Sequence, residues 1–141
     1  MEVLLIFLFT LPKYFYSVSD TVTLKVVVMD VFVDKIEGSE AQHVALRVSS
    51  PQFSQEKIVV LGPPWFLEDL PRKGDTCEVK GSIFKSEDTE LIVARVLYNF
   101  RTKNMLELRS LNGFPLWMRR EGTSYRERTR VRGEFKRGKP R

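Results

Sequence analysis

Apolar side chains recur at every second position through successive stretches of this chain, and strand-breaking residues separate those stretches. A period of two is what β-strands with one buried face produce. The first stretch, Thr21 to Ile36, begins with Val22, Leu24, Val26 and Val28 on one face, and its apolar parity then moves to Met29, Val31 and Val33. A slip of one residue sends the side chains to the opposite face, so one long strand with a bulge near Met29-Asp30 is expected. After the Glu37-Gly38-Ser39-Glu40 turn, Ala41–Ser49 sets Val44, Leu46 and Val48 on one side and His43 and Arg47 on the other. Lys57–Leu61 is a third stretch, rich in β-branched residues. Thr76–Phe84 and Glu90–Phe100 follow as a hairpin joined through 85–89.

Between the third and fourth stretches lies a proline-bounded segment, Gly62 to Pro71. Pro64 suits the first position of a helical turn, and Trp65, Phe66, Leu67 and Leu70 give that turn an apolar face with which to close the floor of a barrel. Three strands, a short helical plug and two more strands predict an all-β domain, a small five-stranded OB-type Greek-key barrel. Met105–Ser110 alternates again and is followed by an Asn112-Gly113 turn and Pro115-Leu116-Trp117, which reads as an extra strand and an anchor. Trp117 is either a docking residue or the cover of an apolar gap at the barrel edge. The domain is expected to span 20–118.

Charge changes the picture only at the ends. The net charge is +5, but residues 119–141 hold 10 Lys or Arg against 3 acidic residues and leave 1–118 at −2. No apolar periodicity persists there, so this basic tail is expected to be disordered. Arg126, Arg128, Arg130, Arg132, Lys136 and Arg137, interleaved with Tyr125 and Phe135, form a candidate anion-binding segment with aromatic stacking residues. At the other end, Val3 to Leu11 is an uncharged apolar run stopped by Pro12, too short to span a bilayer and suited to a signal-peptide core. Ser17 and Ser19 stand three and one positions ahead of a cleavage before Asp20. Residues 1–19 therefore read as a signal peptide or anchor; a first β-strand or a buried N-terminal arm is the alternative.

Arg72-Lys73-Gly74-Asp75 together with Val79-Lys80-Gly81 resembles the entry to the last hairpin of OB-fold proteins, and Ser82 to Ala94 has the cadence of their fourth and fifth strands. With the N-terminal signal, residues 22–100 are similar to small exported OB-fold domains of bacteria and archaea. That resemblance implies a non-enzymatic periplasmic or surface protein.

The chemistry-bearing residues point the same way. The chain has one cysteine, Cys77, sharing a face with Val79, and one histidine, His43; no nucleophile, metal-ligand or phosphate-loop pattern appears, so no catalytic residue, metal or cofactor is expected. For single-stranded nucleic acid on the face of strands two and three, the outward positions read as Ala41, His43, Ala45, Arg47 and Ser49, with Lys57, Val59 and Leu61 beside them. Phe53 is the one stacking candidate nearby. Asp34, Glu37 and Glu40 on one flanking loop and Glu87, Asp88 and Glu90 on the other would repel phosphates. The same six could bind Ca²⁺ through carboxylate oxygens, although EF-hand spacing is missing. The expectation is an exported binding module for a protein or envelope component, its tail touching anionic lipid or polymer. The alternative is a cytoplasmic nucleic-acid-binding protein that uses the tail.

Overall fold

The computed structural model describes residues 11, 12, 14–86 and 89–118. The tail candidates Tyr125, Arg126, Arg128, Arg130, Arg132, Phe135, Lys136 and Arg137 lie outside the described residues, as do residues 1–10 and the loop acids Glu87 and Asp88.

Among the described residues, six strands form one mostly antiparallel sheet: β1 (Thr21–Lys35), β2 (Gln42–Ser49), β3 (Lys57–Gly62), β4 (Thr76–Ser86), β5 (Thr89–Asn99) and β6 (Asn104–Glu107). Their order is β3-β2-β1-β4-β5-β6, and β3 also pairs in parallel with β5 through Ile58↔Leu91, Val59↔Ile92 and Val60↔Val93. The pairings of β1, β2, β3, β5 and β4 thereby return to β1 as a closed circuit. β1 is long because it serves two neighbours. Thr21–Val27 pairs with β4, and Val27–Lys35 pairs with β2. The register shifts between Val28 and Asp30, where the apolar parity changes. A bulge there turns the strand between its two partners.

The inner face is lined by Val26, Val28, Val44, Leu46, Val48, Val59, Leu61, Cys77, Val79, Ile92, Ala94, Leu97 and Leu108. The expectation for β3 is corrected here. Val59 and Leu61 point into this core, and Ile58 and Val60 belong to the outer face. The pairing Leu46↔Val59 fixes that choice, because paired residues share a face and Leu46 is buried. A strand apolar at both parities carries no alternation from which its inside could be read.

One 3-10 turn, Pro64–Phe66, stands between β3 and β4. Phe66, Leu67 and Leu70 pack against the core, whereas Trp65 is 64% exposed and rests edge-on against Phe66. The Gly74-Asp75 entry to β4 is a tight turn. Gly74 has φ +95°, and its N–H donates to Val28 O while Asp75 O accepts from Val28 N. Gly81 sits where the β4–β5 register shifts, and a Cβ there would strike the Val93 carbonyl.

Candidate functional site

The outer face of β3, β4 and β5 carries an apolar patch. Val60, Phe84, Leu91 and Val93 form a second cluster on it, joined by Ile36 and Ile58 and covered by Leu11, Tyr14 and Tyr16. The cover is an arm of the chain itself, at Leu11 and Pro12 and from Tyr14 to Ser17. It is fastened at both ends by main-chain groups. Leu11 N donates to Lys35 O and Leu11 O accepts from Glu37 N, each at 2.7 Å, and Ser17 N donates to Ser82 Oγ at 2.8 Å. Extended backbone with side chains alternating toward a pocketed surface is how a sheet protein holds a peptide.

At the middle of the arm an aromatic cluster assembles around one buried cation. Arg109 is only 8% exposed; its Nη1 donates to Gly113 O at 2.9 Å, and its Nε has no hydrogen-bond partner among the described residues. Three ring faces surround the guanidinium: Trp117 at 5.1 Å, Tyr14 at 5.9 Å and Tyr16 at 6.0 Å. Ring quadrupoles offset part of the cost of burying this charge, which has no carboxylate partner among the described residues. Burial lowers the Arg109 pKa, yet guanidinium starts so high that it stays charged.

His43 joins the cluster from β2. Its ring lies 5.5 Å from Trp117, and its Nδ1 is hydrogen-bonded to the Tyr14 hydroxyl. Burial, reinforced by the positive Arg109, pushes His43 down to about 4, so it is neutral at pH 7 and accepts from Tyr14. Burial pushes the Tyr14 phenol up to about 12, against the opposing pull of Arg109. Trp117 lies half-buried against Gly62, with its Cζ3 2.9 Å from where a Cβ would stand, and its ring is 5.8 Å from Phe66.

Phe53 is half-buried against the core, with Lys57 Nζ 5.6 Å from its ring centroid. Arg47 is drawn to Glu56 at 2.7 Å and to Asp30 at 3.9 Å. Of the loop acids, Glu40 pairs with Lys35 and Glu90 with Lys57, both at 3.3 Å, and burial raises the Asp34 pKa. Among the described residues, no group of three or more His, Cys, Asp or Glu is placed to hold a metal. Cys77 is fully buried, and burial pushes its thiol up to about 11.

Of this cluster, Trp117 and His43 were singled out from the sequence, whereas Tyr14, Tyr16 and Arg109 were not. Tyr14 and Tyr16 stand in the segment that reads as a leader, and Arg109 in a short alternating run; nothing local marks them as neighbours. No family model, curated protein or solved structure matches this chain.

Proposed function

We propose that this chain is an exported OB-type module that binds, without catalysis, an extended segment of a protein partner or envelope component on the outer face of β3, β4 and β5. The closed circuit of pairings, with a 3-10 turn between β3 and β4, supports the OB-type barrel. One observation carries the binding reading: the chain's own Leu11, Tyr14 and Tyr16 cover that face, held by main-chain hydrogen bonds at Leu11 and by Ser17 N donating to Ser82 Oγ. Cleavage ahead of Asp20 removes this cover and leaves Val60, Phe84, Leu91 and Val93 as an apolar groove beside His43 and Trp117. A contiguous apolar patch of that kind marks an interaction surface. The basic tail adds contact with anionic lipid or polymer, worth about 1 kcal/mol per Lys or Arg near an acidic bilayer.

The charge of +7 over residues 119–141 favours a second reading, a cytoplasmic single-stranded nucleic-acid-binding OB protein that uses the tail. The N-terminal residue of the protein from fractionated native cells separates the two. A chain beginning at Asp20 in the extracytoplasmic fraction, binding a synthetic peptide of residues 11–19 in trans, is the expected result. An uncleaved cytoplasmic chain would sink the export reading and leave tail-dependent nucleic-acid binding in its place.

A further inference from the structure

A cavity of about 320 Å³ opens between the arm at Tyr16, β1, β4 and β5. Its wall includes Tyr16, Thr21, Thr23, Lys80 and Arg95, and among the described residues no carboxylate lines it. Two cations facing one cavity without a counter-charge repel each other, and an anion between them relieves that repulsion. The hydroxyls of Tyr16, Thr21 and Thr23 and the charged ends of Lys80 and Arg95 make no hydrogen bond or ion pair among the described residues. Five donor-bearing residues thus line one space, and among the described residues no acceptor is paired with their side chains.

The backbone is built to put Arg95 there. Lys80 pairs with Val96 and Gly81 with Ala94, so Arg95 is the extra residue of a bulge, and a bulge re-aims a side chain. Gly81 makes the bulge tight, because a Cβ would run into the Val93 carbonyl. The Arg95 carbonyl accepts from Leu108 N at 2.8 Å and Arg109 N at 3.3 Å, which fixes the bulge against the C-terminal segment.

We infer that this cavity is a phosphate-binding site, in which Lys80 and Arg95 supply the charge and Thr21, Thr23 and Tyr16 supply hydrogen bonds to a phosphoryl group. Arg95 offers the planar fork that matches two phosphoryl oxygens, and Lys80 a point charge beside it. The cavity exceeds a bare phosphate, so the group is carried on a larger molecule, either a soluble phosphomonoester or a lipid headgroup. This site is separate from the apolar groove and is drawn for the uncleaved chain; cleavage ahead of Asp20 would take Tyr16 from its wall and leave Thr21, Thr23, Lys80 and Arg95.

The test uses the full chain, with ¹⁵N-amide shifts of Thr21, Thr23 and Gly81 followed as inorganic phosphate is added against chloride at constant ionic strength. Saturable shifts are expected, weakened at least tenfold in Lys80→Gln/Arg95→Gln and retained in the tail variant Arg126→Gln/Arg128→Gln. Shifts that never saturate, that chloride reproduces, or that vanish only in the tail variant would overturn the site. If the double variant failed to fold, Thr21→Val/Thr23→Val gives the same reading, because it removes the hydroxyls and keeps the charge. Phosphatidylcholine vesicles with and without phosphatidic acid distinguish the source in the tail variant. Sedimentation that needs both phosphatidic acid and Arg95 assigns a lipid headgroup; saturable phosphate shifts without sedimentation assign a soluble phosphomonoester.

Discussion

The Arg101 guanidinium holds the Asp75 carboxylate with two hydrogen bonds, Nε to Oδ1 at 2.7 Å and Nη2 to Oδ2 at 3.1 Å. Asp75 also accepts from Asn99 Nδ2 at 2.9 Å and Arg72 N at 2.8 Å. It therefore joins the turn before β4 to the end of β5. These donors, Arg101 first, hold the carboxyl well below the usual range. Asp75→Ala strips the buried Asn99 amide and the Arg72 N–H of their acceptor. A loss of about 1–3 kcal/mol is expected in urea denaturation, the usual cost of orphaning such groups.

The same cluster and His43 divide the acid limb of the stability curve. His43 is depressed in the folded state to about 4, below its unfolded value near 6.5, so its contribution is full above about pH 6.5 and falls as pH drops toward 4. Asp75 is also depressed, so its contribution is full above about pH 4 and is lost on further acidification. Melting temperature should decline in two stages on acidification. His43→Gln is expected to flatten the stage between pH 6.5 and 4 and leave the lower one. A variant whose upper stage is unchanged would remove His43 from the account.

The strand pattern was legible because burial on one face writes itself as alternation, and the Val28–Asp30 bulge because a parity change is visible in Val28, Met29 and Val31. The face of β3 was not, since Ile58-Val59-Val60-Leu61 is apolar at both parities and only pairing to Leu46 orients it. The arm was ambiguous for a related reason. An apolar run that ends in Pro12 and tyrosines can satisfy an export signal or cover a sheet, and sequence records only that it avoids water. The Tyr14–His43–Arg109–Trp117 cluster was hidden because its members come from separate elements that only the tertiary fold brings together. The Lys80–Arg95 cavity depends on a bulge whose sole local mark is Gly81.

Gly113 couples the C-terminal turn to the arm. It has φ +90°, and a Cβ there would lie 2.5 Å from the Tyr16 ring. Gly113→Ala therefore strains the backbone, roughly 1–2 kcal/mol for a left-handed non-glycine residue, and displaces Tyr16 from Arg109. Limited proteolysis should cut within residues 12–20 faster than in the parent while β1 to β5 stay intact. Unchanged cleavage would mean that the arm is not held through Tyr16.

Trp117 is expected to be structural before it is anything else. Trp117→Ala removes the ring from Gly62, His43, Phe66 and Arg109 together. Full truncation of a core aromatic costs about 3–5 kcal/mol, and a half-buried one should cost about 2–3 kcal/mol. Equilibrium unfolding gives the number. A loss under about 0.5 kcal/mol, the range of a surface substitution, would instead reinstate Trp117 as a docking residue.

Cys77 offers a probe of the whole core without mutation. Its side chain is fully buried on β4 between Val26 and Asn99 of the neighbouring strands, and its thiol is pushed up to about 11, so almost none is thiolate at pH 8. Thiolate is the species that reacts. A thiol-directed reagent should therefore label the native chain only through transient opening, and labelling in increasing urea should follow the global unfolding curve. Labelling that precedes the loss of tryptophan fluorescence would show that β4 opens by itself. The Gly81 bulge is where such opening would begin, and Gly81→Ala should then advance the labelling curve, because its Cβ drives Val93 away from β4.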